Sequence, residues 1–532
     1  MSRHPSPYFA FIFALCALWA GVHSGRLALP AVHAAEVGTT PVALFLPVLA
    51  GSAATPTATI TPTPTRQQTA TVTATPTPTA TATPTAPVVH PLRAFFVNTE
   101  WKTASGDVEI DAKGGMHIAY GFYEAADGSK PVGAVYLACP PPQSDCLAGK
   151  GWGGISTDQA VRDVQLALTA AGQPRLLVHA WAGGSQGGGE YHYYECDANC
   201  TDPAQWGGAL VVKDNPSGGL AVYDDDMPQR SFALDHLGRP RFVYFDSDYT
   251  VEPDHYGTFY VQCDADCTVA ANWQETLITK ALEPPYQYDY EIVKYPALAF
   301  TSDGRPRIAT AEFYSFAQEE PALGYFECDS GCNSRDNWRN ALLFPRGQGL
   351  GPSVDIALDS QDRPRIAFYP KQMADGSGEQ LYYVWCNGDC AQAGNWQRFS
   401  LETGKNNGQE PDLRFDSQGR PRIAYADEST GGVGLLRCDV NCESGVAAWQ
   451  KKNVETAAQL YAAWDVPFGI TCDAGLWNGL TPALALDPAG NPVLAYDATY
   501  HARCWWDDPN DNQPPYWRYM LVMRTVRVNF PE

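Results

Sequence analysis

Of the 532 residues, 59 are Asp or Glu and 36 are Lys or Arg, a formal net charge of −23. That balance excludes non-specific nucleic-acid binding, which needs basic surface to displace counterions, and leaves neutral sugars, cationic groups and Ca2+ as compatible ligands. With 27 Tyr, 15 Trp, 47 Gly and 42 Pro against 6 Met, the composition favours many short strands joined by turns over helices.

In chain order, residues 1–34 read as an export signal: Arg3 and His4, an apolar run, then small residues near Ala34. Cys16 lies inside that run after Leu15, a setting unlike that of a lipid-modified cysteine. A short apolar segment, 35–53, falls below the ~20 residues that a membrane-spanning helix needs. Residues 54–88 are almost wholly Thr, Pro and Ala, so the reading is a disordered, extended linker whose threonines are candidate O-glycosylation positions. The protein is expected to be secreted or held at the cell surface, with no membrane-spanning segment.

From Asp107 the chain repeats itself. The copies are VEIDAKGGMHIAY, LALTAAGQPRLLV, FALDHLGRPRFVY, LAFTSDGRPRIAT, IALDSQDRPRIAF, LRFDSQGRPRIAY and LALDPAGNPVLAY, and their turn positions, Gly114, Gly172, Gly238, Gly304, Asp362, Gly419 and Gly490, are 57 to 71 residues apart. That spacing holds four short strands. Folding the sixth copy about Gly419 sets Asp416 opposite Arg422, Phe415 opposite Ile423 and Arg414 opposite Ala424. The Asp–Arg pair recurs as Asp235 with Arg241 and Asp359 with Arg365, and as Asp111 with His117. An arginine repeated around a ring is a cross-strand partner that sets register rather than a catalytic group. The expected fold is all-β: a seven-bladed β-propeller of four-stranded antiparallel blades over 93–532. Residues 93–98 (RAFFVN) are expected to close the ring beside Trp517–Val526.

These copies resemble the Asp-x-x-Gly-x-Pro-x-Ile-Ala-Tyr repeats of exported bacterial β-propeller proteins, distantly sialidase-like in architecture. The resemblance implies fold and location more than activity. Sialidase boxes of the type Ser-x-Asp-x-Gly-x-x-Trp are not matched, and Arg307, Arg365 and Arg422 are each followed by Ile-Ala rather than Ile-Pro.

Apart from Cys16, fourteen cysteines remain. Five Cys-x-x-x-Cys pairs (Cys196 and Cys200, Cys263 and Cys267, Cys328 and Cys332, Cys386 and Cys390, Cys438 and Cys442) and the pair Cys139 and Cys146 read as disulfides rather than zinc ligands in an exported chain. Cys472 and Cys504 remain, and are expected to pair with each other.

Strand direction sends the Gly-Arg-Pro turns and cysteine loops to one end and the strand 2 to 3 loops and blade connections to the other. The first end is uniform and the second is variable, so ligand residues are expected at the second. The candidates there are Tyr223, Asp224, Asp225, Tyr249, Tyr288 and Asp289, on loops where carboxylates alternate with tyrosines, and Trp464 and Trp477, on a long aromatic loop. Carboxylates orient sugar hydroxyls or bind Ca2+, and rings stack on sugar faces; the same residues also fit a solvated acidic rim and aromatic packing. No HExxH, GxSxG or phosphate loop is present. The reading is therefore a monomeric, non-catalytic recognition module for extracellular glycans or surface proteins, with no cofactor expected and Ca2+ left as a possible ligand; the alternative is a glycoside hydrolase or polysaccharide lyase.

Overall fold

The computed structural model describes residues 101–528 apart from 125–129, 148–150, 158–160, 182–188, 214–229, 248–255, 280–290, 316–317, 346–352, 371–378, 404–406, 428, 457–471 and 505–515. The signal, the linker and the segment 93–98 lie outside the described residues. Four-stranded antiparallel sheets follow one another along the chain. Blade 1 contains β1 (Trp101–Ile110), β2 (Met116–Glu124), β3 (Lys130–Cys139) and β4 (Gly153–Ser156), with a short helix α1 (Gln143–Leu147) before β4. Blade 2 contains β5 (Val161–Leu168), β6 (Pro174–Trp181), β7 (Gly189–Glu195) and β8 (Gly207–Lys213). Blade 3 contains β9 (Phe232–Leu234), β10 (Pro240–Ser247), β11 (Tyr256–Cys263) and β12 (Trp273–Leu277). Blade 4 contains β13 (Glu291–Phe300), β14 (Pro306–Ser315), β15 (Gln318–Cys328) and β16 (Trp338–Pro345). Blade 5 contains β17 (Ser353–Leu358), β18 (Pro364–Tyr369), β19 (Leu381–Cys386) and β20 (Trp396–Glu402). Blade 6 contains β21 (Asn407–Phe415), β22 (Pro421–Asp427), β23 (Gly432–Cys438) and β24 (Trp449–Glu455).

The expectation of seven four-stranded blades is corrected here. Six sheets have four strands, whereas β25 (Cys472–Leu486), β26 (Pro492–Cys504) and β27 (Tyr516–Arg527) form a three-stranded sheet among the described residues. In each sheet the first strand is innermost, and β1 packs on both β5 and β25, so the three-stranded sheet completes the circuit between blade 6 and blade 1.

The hairpin register also differs from the expected one. Phe415 pairs with Pro421, Arg414 with Arg422, Leu413 with Ile423 and Asp412 with Ala424. The cause is the turn. Asp416 begins it instead of ending the strand: its backbone N–H donates to Arg420, Gly419 donates back to Asp416, and Gly419 takes the left-handed φ of 73° that the turn requires. Asp416 Oδ1 accepts from the N–H groups of Gln418 and Arg420, each at 3.0 Å, and Oδ2 accepts from Arg420 Nε at 2.7 Å and Arg422 Nη2 at 3.1 Å. The Asp–Arg contact is therefore real but diagonal, a turn lock rather than a cross-strand pair.

The recurring arginine has a second task. Arg422 Nη1 donates to the carbonyls of Pro421 and Cys438, both at 2.9 Å. Arg175, Arg241, Arg307 and Arg365 donate in the same way to Cys196, Cys263, Cys328 and Cys386, which proves that turns and cysteine loops share one end. Each loop is closed by its disulfide, 139–146, 196–200, 263–267, 328–332, 386–390 or 438–442. The tryptophan that follows donates its indole N–H to the second cysteine's carbonyl: Trp152, Trp206, Trp273, Trp338, Trp396 and Trp449 all do so, at 2.7–3.1 Å.

The same tryptophans join the blades. Tyr136, Tyr193, Tyr260, Tyr325 and Tyr383, each on the third strand of one blade, meet Trp206, Trp273, Trp338, Trp396 and Trp449 of the next, with ring centroids 4.8–5.1 Å apart and planes steeply tilted. Edge-to-face pairs of this kind add about 0.5–1.5 kcal/mol beyond the area they bury. The hydrophobic core is accordingly a ring of interfaces between sheets.

Candidate functional site

The innermost strand of a blade has no neighbour on its axial side, so its backbone N–H groups there need other acceptors. Side chains of the preceding blade supply most of them. Asp107 Oδ2 accepts from Leu166 N at 2.9 Å, Gln165 Oε1 from Phe232 N at 2.8 Å, Asp355 Oδ2 from Leu413 N at 2.6 Å and Asp412 Oδ2 from Leu484 N at 2.7 Å. Leu298 N donates to the carbonyl of Arg230 at 2.8 Å, and Val108 and Ile356 donate to the carboxylates of their own neighbours Asp107 and Asp355. All seven equivalent N–H groups are thereby satisfied.

This accounting gathers charge on the axis. Arg230 reaches Asp412 Oδ2 at 3.0 Å, Asp107 Oδ1 at 3.5 Å and the Pro482 carbonyl at 2.8 Å. Arg414 reaches Asp412 Oδ1 at 3.4 Å, Glu109 Oε1 at 3.7 Å and the Leu484 carbonyl at 3.1 Å. At the position of Glu109 and Arg414 the other five inner strands carry alanine: Ala167, Ala233, Ala299, Ala357 and Ala485. Two arginines thus face four carboxyl groups, those of Asp107, Glu109, Asp355 and Asp412, which cannot all ionise at little cost. Burial, opposed by Arg414 and reinforced by Asp107 and Asp412, pushes the Glu109 carboxyl up to about 8. Burial and Asp412 push Asp355 up to about 7.

One layer toward the variable end, Tyr295, Glu410 and Thr481 hold left-handed φ angles of 53°, 51° and 54°. Such angles are costly for residues with side chains, and each of these precedes a proline, which narrows its choices further. Glu410 is tied into the ring: its N–H donates to Ser353 Oγ at 2.7 Å, and its carboxylate accepts from Thr481 N. Repeat-breaking polar residues and backbone strain therefore coincide on the axis.

A cleft of about 520 Å³ lies at the turn end between blades 5 and 6, lined by Arg363, Arg365, Tyr383, Phe415, Asn441 and Glu443. Arg365 donates there to Asp359 at 2.9 Å and to Glu443 at 2.6 Å.

Of the candidates read from sequence, Tyr223, Asp224, Asp225, Tyr249, Tyr288, Asp289 and Trp464 lie outside the described residues. Trp477 lies in β25, opposite Thr499, and Cys472 lies opposite Cys504 at the start of the same strand pair. The axial acids were missed by sequence reading, although Asp107, Asp355 and Asp412 each stand four residues before a turn aspartate, at Asp111, Asp359 and Asp416. No metal-holding group of three or more His, Cys, Asp or Glu occurs among the described residues, and no helix among them is long and apolar enough to cross a membrane.

No protein-family model matches the chain. Comparison with curated proteins finds no match either. Among solved structures, a protein of unknown function from Dyadobacter fermentans is 11% identical, with 82% of this chain and 98% of that one covered and a TM-score of 0.40. A polysaccharide lyase, Uly1, is 9% identical over 79% of this chain and 90% of its own, with a TM-score of 0.42. A sialidase from Streptococcus pneumoniae is 10% identical over 83% and 70%, with a TM-score of 0.36.

Proposed function

We propose that this chain is an exported propeller module that recognises neutral glycans, or the surface proteins that carry them, through the variable end without turning them over. The observation that carries the reading is the division of polar groups between the turn end and the axis. At the turn end the recurring arginines, the indoles and the cysteine loops bond one another and hold the scaffold. On the axis the residues break the repeat, crowd more carboxyl groups than arginines and sit on strained backbone, which suits uncharged hydroxyls. The six disulfides fit an oxidising compartment outside the cell, and the Thr/Pro segment serves as a spacer.

One observation favours a second reading. A carboxyl held near 8, as Glu109 is, stays protonated at neutral pH, as the general acid of a glycoside hydrolase must. A neutral-glycan array run beside assays for new reducing ends and unsaturated products decides between them. Retention without product supports the recognition module, product formation replaces it with the hydrolase or lyase, and silence in both refutes the two together.

A further inference from the structure

The seam between blades 5 and 6 holds a lysine against two carboxyl groups from different strands. Glu402 closes β20, Asp427 closes β22, and Lys451 lies on β24. Lys451 Nζ donates to Glu402 Oε2 at 2.9 Å and stands 3.5 Å from Asp427 Oδ2. β23 runs between Asp427 and Lys451, with Gly432 opposite Asp427 and Leu436 opposite Lys451. The lysine therefore reaches Asp427 along the face of the sheet, past the ring of Tyr425, whose centroid is 5.6 Å from Nζ. That ring occupies the space over Gly434, where an added Cβ would come within 2.2 Å of it.

The carboxyl of Asp427 is held as an electrophile is held. The residue is 1% exposed. Its Oδ1 accepts from Ser429 Oγ and from Thr430 N, two donors that steady negative charge on that oxygen. Its Oδ2 has no hydrogen-bond partner and is left with the lysine as its ion-pair partner. Glu402 also accepts from Asn407 Nδ2 at 3.2 Å, which fixes the carboxylate beside Nζ. An amine, a carboxyl with donors on one oxygen, and a second carboxylate to carry protons are the parts that amide formation needs. Burial favours the condensation, because the reverse reaction needs a water at the same carbon.

The neighbouring blades lack this set. In blade 5 the residues equivalent to Asp427 and Lys451 are Pro370 and Arg398, and in the last sheet Ala498 stands where blade 6 has the aspartate. At that next seam Tyr496 donates to Glu455 Oε2 at 2.5 Å, so the glutamate position is kept while the carboxyl partner is not. An arginine at 451 could hold the same two carboxylates. Its guanidinium stays protonated and cannot act as a nucleophile, whereas a lysine can lose its proton and attack.

We propose that Lys451 and Asp427 become joined by an intramolecular isopeptide bond, with Glu402 carrying the proton. The ammonium gives one proton to Asp427 Oδ2, and the lone pair freed on Nζ attacks Cγ. Negative charge collects on Oδ1, where Ser429 and Thr430 donate. Glu402 takes a second proton from Nζ and returns it to Oδ2, which leaves as water while the carbonyl re-forms. An ammonium and a carboxylate become an amide and one water, with no other reactant consumed. The bond ties β22 to β24 across β23, toward the variable end, whereas the six disulfides hold the turn end.

Peptide mapping of the purified protein by mass spectrometry, after reduction and alkylation of the cysteines, tests the bond. The expected result is one branched peptide that contains Asp427 and Lys451 and is lighter than its two parts by the mass of one water. Lys451→Arg keeps the charge and the ion pairs, and should return the two peptides unlinked. Glu402→Gln, shown to be folded by its unfolding midpoint, should lose the link as well. Recovery of the two peptides unlinked and at full mass from the wild-type protein overturns the proposal. A link that forms fully in Glu402→Gln overturns the proton-carrying role given to Glu402.

Discussion

Arg365 of blade 5 takes a carboxylate from a neighbouring blade, with Nη2 2.6 Å from Glu443 Oε1. In blades 2, 3, 4 and 6 the equivalent arginine bonds an aspartate just after the first cysteine: Asp197, Asp264, Asp329 or Asp439. Blade 5 has Asn387 there, and Glu443 compensates by accepting from Arg365 and, through Oε2, from Asn387 Nδ2 at 3.0 Å. The expected outcome is that Glu443→Gln lowers stability by about 1–2 kcal/mol, since a buried guanidinium loses one charged hydrogen bond while Asp359 remains. Adding Asn387→Asp should restore most of the loss. Urea unfolding of the two variants checks it, and an Asn387→Asp change that restores nothing would show that the two carboxylates are not interchangeable.

The axial carboxyls make stability fall as pH rises. Glu109 and Asp355 have folded-state values of about 8 and about 7, above the values that the unfolded chain gives them. Between roughly pH 4.5 and 8 the native state therefore holds more protons than the unfolded state, and stability declines across that window as they leave. Asp359 opposes this at the acid end: it is held below its ordinary value by Arg363 against the effect of burial, so its contribution is lost as pH falls through the acid range. A single maximum near pH 5 is expected. Glu109→Gln should flatten the alkaline limb and raise stability at pH 8 by on the order of 1 kcal/mol, a figure reduced for the partial water access of this side chain. Unfolding midpoints of both proteins at pH 5 and pH 8 measure it.

Cys472 and Cys504 stand opposite each other in the β25–β26 register, as a disulfide between them requires. Peptide mapping under non-reducing conditions should recover them as one linked pair, and a link from either to another repeat would contradict the register. The double variant Cys472→Ser, Cys504→Ser should fold. It should also lose glycan retention several-fold if this bond helps to place Trp464 and Trp477 for ligand contact. Normal retention would reduce those two tryptophans to packing.

Much of the scaffold was legible in the chain because its signals are local. A turn aspartate, a left-handed glycine and a proline recur at fixed spacing, and so do two cysteines followed by a tryptophan. Each motif satisfies itself within about twenty-five residues: Asp416 holds its own turn, and Trp449 bonds the carbonyl of Cys442. Repetition and spacing were enough to read antiparallel sheets, two distinct ends and the six disulfides.

The tertiary structure decided what depends on neighbouring blades. Register hung on whether Asp416 was the last residue of a strand or the first of a turn, and only its hydrogen bonds settle that. The strand count hung on the last sheet, where the described residues form three strands, not four. The axial network joins Arg230 to Asp412 and Asp107, residues of three different blades. Such contacts leave no periodic trace. Closing the ring brings together single, unrepeated residues from different copies, and the chemistry resides in those.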